Sequence, residues 1–199
     1  LITGCLDGKV RMHNTGRVDR ELACDMTHEA DTKGIVTALA ISNDGITLVA
    51  GLFEGTCVFY ELDVDEKCII SGVRLKKVRS RRGRNAKGHK ITGLEYRGGR
   101  KNQDFDAELL VTTVDSRVRL YRANTFEQLG KYKGHLNEGA TKKILGTQVM
   151  PTQIRATMSS DTSLMACGSE DGRVYIWTRR PPKPRIPWVG RSSVHSKPV

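Results

Sequence analysis

Apolar residues along this chain fall into short runs that alternate with polar ones and break at acidic turns. Four stretches share one pattern: LITGCLDGKVRMH (Leu1 to His13), LVAGLFEGTCVFY (Leu48 to Tyr60), LLVTTVDSRVRLY (Leu109 to Tyr121) and LMACGSEDGRVYIW (Leu164 to Trp177). Each reads as two strands joined by a tight turn, because a period of two places one set of side chains on a buried face. The turns hold Asp7-Gly8, Glu54-Gly55, Asp115-Ser116 and Asp171-Gly172. Acid-Gly between alternating strands predicts a hairpin with a type I′ turn, which places both central residues at positive φ. A further alternating strand precedes three of the hairpins, at Ile35 to Ser42, Ile91 to Tyr96 and Ile154 to Ser159. Ahead of these lie His28, His89 and His135, the last two as Gly-His pairs. The turn acids are spaced by 47, 61 and 56 residues, so the unit is a repeat with loops of unequal length.

Composition narrows the class. The 199 residues are 38% hydrophobic and 28% charged, which suits a folded chain rather than a disordered one. Ile46 to Phe53 is far shorter than the ~20 apolar residues of a membrane helix. Cys5, Cys24, Cys57, Cys68 and Cys167 are odd in number and scattered, without a CxxC, and read as reduced core thiols of a cytosolic chain. The pattern starts within a repeat and without Met, which reads as part of something longer. Net charge is +11, but nine Lys or Arg and no acid lie in Arg74 to Lys90, and six with no acid in Arg179 to Val199. Everything else is mildly acidic, so the positive charge belongs to two discrete segments.

On these residues the chain resembles the WD-repeat proteins, whose four-stranded blades form a β-propeller. The implied fold is all-β, a partial propeller spanning 1–178, about four blades of a seven-bladed ring, with hairpins at 1–13, 48–60, 109–121 and 164–177. The segment 74–90 is then a basic loop between blades and 179–199 a basic, Pro-rich tail or linker. In that family a blade-opening His, a Ser or Thr on the second strand, the turn Asp and a closing Trp form a hydrogen-bonded network. The matching candidates are His89, Thr112 or Thr113, Asp115 and Tyr121 in one repeat, and His135, Asp171 and Trp177 in the next. The closing position holds His13, Tyr60, Tyr121 and once Trp177, followed by Thr178 where the family has Asp, so weaker networks are expected.

Ser80 to Tyr96 (SRRGRNAKGHKITGLEY), Leu109 to Tyr121, and KYKGH (Lys131 to His135) leading to GSEDGRVYIW are similar, in order and wording, to the Rab-eleven-binding WD-repeat proteins of endosomal recycling and their uncharacterised fungal and plant relatives. That resemblance implies a scaffold in vesicle trafficking, cytoplasmic and peripheral to endosomal membranes, with nuclear residence a lesser alternative. It places the segment that binds the Rab-type GTPase outside the propeller, upstream.

The repeat itself does not require the basic segment. Arg74, Lys76, Lys77, Arg79, Arg81, Arg82, Arg84, Lys87 and Lys90 repel one another, which points to an anionic counterpart. An acidic protein, phosphoinositide headgroups, nucleic acid and a nuclear-import receptor stay open, as does a solvated loop without a ligand. Its lack of aromatic residues argues against stacking on single-stranded nucleic acid. In the tail, Pro181, Pro182, Pro184 and Pro187 favour polyproline II, as a linker or as a docking peptide. The five histidines lack ligand spacing, Asp63, Asp65 and Glu66 lack the ladder of a calcium loop, and there is no nucleophile elbow or phosphate-binding Gly-rich loop. The expectation is a non-catalytic binder of proteins with no metal, cofactor or small-molecule substrate.

Overall fold

The computed structural model describes residues 1–18, 21–65, 70–80, 88–98, 107–138, 143–144, 147–148 and 153–179, with backbone alone at 14–18, 21–27, 80, 143–144 and 147–148. All regular structure among them is strand. The first sheet runs β1 (Ile2–Gly4), β2 (Lys9–Val18), β3 (Glu21–Asp31); the second runs β4 (Val36–Ile41), β5 (Thr47–Leu52), β6 (Thr56–Val64), β7 (Ile70–Ser80). The third contains β8 (Ile91–Arg97), β9 (Glu108–Thr113), β10 (Arg117–Arg122) and β11 (Gln128–Tyr132). After a two-stranded ribbon, β12 (Lys143–Ile144) and β13 (Thr147–Gln148), the fourth sheet holds β14 (Ala156–Met158), β15 (Leu164–Gly168) and β16 (Val174–Thr178). In all of them sequential strands pair antiparallel.

The four expected hairpins are β1–β2, β5–β6, β9–β10 and β15–β16, but their turns correct the type I′ expectation. Gly8, Gly55 and Gly172 have φ of 81°, 78° and 80°, whereas the acid before each stays out of the left-handed region. Their amides donate to Cys5 O, Leu52 O and Ser169 O at 3.3, 3.1 and 3.1 Å. This is the three-residue loop, a type I turn closed by one left-handed residue, so a single position needs glycine. Ser116 takes that place in the third sheet at φ 55°. Asn137 holds it there: its amide donates to Ser116 Oγ at 2.8 Å and its carbonyl accepts from the Ser116 amide at 3.2 Å.

Counting from the turn acid explains how sheets stack. Residues five before, three after and five after it point towards the following sheet: Ile2, Val10 and Met12; Val49, Cys57 and Phe59; Leu110, Val118 and Leu120. Residues six and four before and six after point the other way: Leu48, Ala50 and Tyr60; Leu109, Val111 and Tyr121; Met165, Cys167 and Trp177. These two sets interlock into three separate inter-sheet cores. Each large buried side chain contributes about 2 kcal/mol, so stacking outweighs any single polar contact.

On the rim carrying the β8–β9 and β14–β15 connections, buried acids join the third and fourth sheets. Glu108, 7% exposed, accepts from Arg179 Nη1 and Nη2 at 3.1 and 2.6 Å. Glu95 Oε2 accepts from the Met158 amide at 3.2 Å. Against the expectation that Arg179 begins the tail, its guanidinium closes β16 against β9. The rest of the tail, Arg180 to Val199, lies outside the described residues.

Candidate functional site

The opposite rim carries the acidic turns and the crossovers into each new sheet. One hydrogen bond recurs there: Phe53 N to Ile35 O at 2.9 Å, Val114 N to Lys90 O at 3.1 Å, and Glu170 N to Leu136 O at 2.9 Å. It places His89 and His135 at equivalent positions, each one residue before the accepting carbonyl. In the second sheet the equivalent residue is Gly34, which corrects the reading of His28. His28 lies within β3 opposite Met12, because β3 continues to Asp31 before the chain crosses over.

Each turn acid but one is held by a side chain four residues later on the same face. Arg11 Nη2 donates to Asp7 Oδ2 at 2.5 Å, Arg119 donates to Asp115 through both Nη atoms, and the Tyr175 hydroxyl donates to Asp171 Oδ2 at 2.8 Å. In the second sheet Glu54 has Val58 at that place, and Leu52, Val58 and Tyr60 are packed in the apolar core. The i, i+4 spacing of acid and donor is present in the sequence, but the family pattern directs attention to His and Trp instead.

Of the candidate network, Asp115 takes a hydrogen bond from Thr113 Oγ1 at 2.5 Å. Thr112 faces the other way: its hydroxyl oxygen accepts from the Ala156 amide of the next sheet at 3.0 Å. His89, Thr113, Asp115, Arg119 and Tyr121 line one cleft of about 210 Å³ between the second and third sheets. Tyr121 stacks on Phe126 with centroids 4.3 Å apart. In the fourth sheet His135 meets the edge of the Trp177 ring at 5.5 Å, and Trp177 Nε1 donates to Lys133 O at 3.0 Å. Asn137, fully buried, carries no motif in the sequence that marks it; its Nδ2 donates to Thr113 O at 3.2 Å and Thr92 Oγ1 at 3.3 Å.

The electrostatics are those of fixed structural charges. Burial pushes the Asp115 carboxyl up, but hydrogen bonds from Arg119 and Thr113 outweigh it and leave the group below the usual carboxylate range. The Arg11 hydrogen bond brings Asp7 down to about 2. Burial pushes the Cys57 thiol up to about 12 and Cys167 to about 11, the opposite of an activated nucleophile. Among the described residues no group of three or more His, Cys, Asp or Glu is placed to hold a metal.

His135 is 2% exposed, and neither ring nitrogen has a hydrogen-bond partner. Burial holds its pKa below the ordinary His value; Arg117 acts in the same direction, and Asp115 and Asp171 oppose. The unfolded chain therefore binds this proton more readily than the folded one. Stability is expected to be complete above the ordinary His range and to fall as pH drops from 7 towards 5. Urea unfolding across that range checks it: His135→Phe should flatten the profile, and an unchanged slope would assign the effect elsewhere.

The basic segment is not the expected loop. Residues 74 to 80 belong to β7, because their alternation continues the pairing with β6 through a register shift that obscures it in sequence. Lys77 is turned inward, donating from Nζ to Ala123 O and Asn124 O at 2.6 Å each and lying 4.4 Å above the Phe59 ring. Arg74 pairs with Asp63 at 3.0 Å. Lys90 sits on the crossover with Nζ 6.0 Å from the Phe53 centroid. Arg81, Arg82, Arg84 and Lys87 lie outside the described residues.

Residues 126–178, from the end of the third sheet to the end of the fourth, match the family described as WD domain, G-beta repeat (WD40). The chain is 35% identical over 178 residues to WD repeat-containing protein 44 of Xenopus laevis, an alignment covering 89% of this chain and 17% of that protein. It is 24% identical to an uncharacterised WD repeat-containing protein of Schizosaccharomyces pombe, covering 89% of this chain and 26% of that protein, and 24% identical to Jouberin of Mus musculus, covering 89% and 15%. The chain thus spans about a quarter or less of these relatives. With four antiparallel sheets stacked through alternating faces and no helix among the described residues, the chain is all-β, carries a WD40 repeat at 126–178, is similar along most of its length to WD repeat-containing proteins, and has the architecture of part of a β-propeller.

Proposed function

We propose that the chain is a non-catalytic part of a protein-interaction scaffold in membrane trafficking, cytoplasmic and peripheral to endosomes. In this reading a Rab-type GTPase is engaged through regions outside these residues. The observation that carries the scaffold reading is the locking of the rim: three of its four turn acids, Asp7, Asp115 and Asp171, are occupied by Arg11, Arg119 and Tyr175 of their own hairpins. Such charges hold turns rigid and leave the outward side chains to meet a partner. The trafficking role rests on the resemblance of the repeat wording to the Rab-eleven-binding proteins.

A second reading, binding of anionic lipid or nucleic acid through 74–90, is favoured by the exposure of Arg74, Lys76 and Arg79 on β7. The two separate in one experiment. Binding to anionic liposomes and to duplex DNA is measured at two salt concentrations for the parent chain and for a variant with Arg79, Arg81, Arg82 and Arg84 replaced by Ser. The scaffold reading expects weak binding in both; steep salt dependence abolished in the variant would establish the second reading instead.

A further inference from the structure

We infer that the outer edge of β7 receives an extended acidic segment of a partner protein as an added strand. The inference deepens the scaffold reading and rests on it. Three observations meet at this edge.

The first is that β7 ends its sheet. The order β4-β5-β6-β7 gives it a strand partner on one side among the described strands, and its 11 residues, as many as in β3 at the end of the first sheet, exceed the 5 of β11 in the third. A long edge strand presents a row of backbone donors and acceptors that an extended peptide can complete.

The second is a β-bulge. Leu75 pairs with Tyr60, Lys77 with Phe59 and Val78 with Val58, the register shifting between Phe59 and Tyr60. An odd spacing of three would put Leu75 and Val78 on opposite faces; the extra residue, Lys76, returns them to the same one. There they are 62% and 49% exposed, a pair of large apolar side chains in solvent on an edge. Arg74 and Arg79 flank them, exposed, and no acid occurs in the sequence between Glu66 and Glu95.

The third is what this combination excludes. Lysines on an edge commonly guard it against pairing, but a guard requires charge alone, and Leu75 and Val78 add the apolar surface a guard avoids. Lipid headgroups and DNA satisfy cations yet offer no ladder to a strand edge, and β7 has no aromatic residue on which a base could stack. A strand alternating carboxylates with apolar residues meets all three features: its apolar face covers Leu75 and Val78, and its acids reach Arg74, Lys76 and Arg79. The Arg74–Asp63 ion pair, with both side chains largely in water, is a minor obstacle.

The test uses the full chain and a fluorescein-labelled ten-residue peptide alternating Glu with Val. Controls are the same peptide with a central Pro, and one with Lys replacing Glu. Anisotropy is expected to show binding of the first alone, with amide exchange slowed within 74–79. Binding should weaken about tenfold in Lys76→Gln/Arg79→Gln and, separately, in Leu75→Ser/Val78→Ser. These side chains are exposed, and unchanged far-ultraviolet circular dichroism shows that each variant is folded. Equal binding of the Pro-interrupted peptide would reduce the site to charge and overturn strand addition. So would absence of peptide binding, whether or not phosphatidylserine vesicles or duplex DNA bind. Absence of both peptide and vesicle binding would overturn this inference while leaving the scaffold reading intact, since other rim surfaces remain; vesicle or DNA binding lost in the charge variant would overturn both.

Discussion

Produced alone, the 199-residue chain is expected to self-associate, and Val174→Ser with Ile176→Ser to restore a monomer. Val174 and Ile176 lie three and five residues after the turn acid Asp171, the positions that pack against a following sheet everywhere else. Their counterparts Val118 and Leu120 are 0% and 1% exposed beneath the fourth sheet; Val174 and Ile176 are 72% and 66% exposed. Leu164 extends the same face at 42%. Covering such a pair is worth about 3–5 kcal/mol, enough to make copies of the chain seek one another's open face. The opposite end differs, because the outer face of the first sheet carries ion pairs of Glu29 with Lys9 and Arg11. Self-association should therefore respond to the Val174/Ile176 pair and hardly to Lys9→Ser. Sedimentation velocity decides: a monodisperse parent chain, or a double variant that still aggregates, would remove the open face as the cause.

Gly88→Ala, made in that monomeric background, should destabilise by about 3 kcal/mol, a fall in Tm of roughly 10 °C for a chain of this size. A Cβ at Gly88 would lie 1.7 Å from Glu54 O, backbone against backbone. Here the crossover into the third sheet rests on the turn of the second, and the contact cannot be relieved by a rotamer change. The clash reaches the register between two sheets rather than a single side chain. Gly168→Ala is the control: the nearest atom to its added Cβ is Ile154 Cγ2 at 4.0 Å, so a change below about 0.5 kcal/mol is expected. Thermal unfolding of the two variants side by side checks both, and similar Tm values would deny the crossover its role in fixing the stack.

The candidates for the hydrogen-bonded network divide according to how far apart their members lie. Asp115 could be located because acid, turn residue and alternating strand occur within a few residues. Choosing Thr113 over Thr112 required the strand's facing, since neighbouring side chains point to opposite sides. His28 lies off the crossover because β3 runs longer than the repeat spacing suggests. The basic segment read as a loop because a bulge breaks the period of two on which strand recognition depends. Arg119 carries a local signal, four residues after the acid, that a pattern centred on His and Trp passes over.

From sequence alone came the unit: two short strands, an acidic turn between them, and apolar positions split between two faces; that only the residue after the acid is left-handed was decided by the structure. Those features follow from interactions within about a dozen residues, where backbone sterics and alternation leave few options. Tertiary structure alone decided what each face meets, since Asn137 beneath Ser116, Arg179 on Glu108 and Lys77 over Phe59 join residues whose chain separation carries no periodic signal. It also decided which faces stay open. Burial is a property of the neighbouring sheet, and Val174 and Val118 are the same residue at the same repeat position, one in water and one in a core.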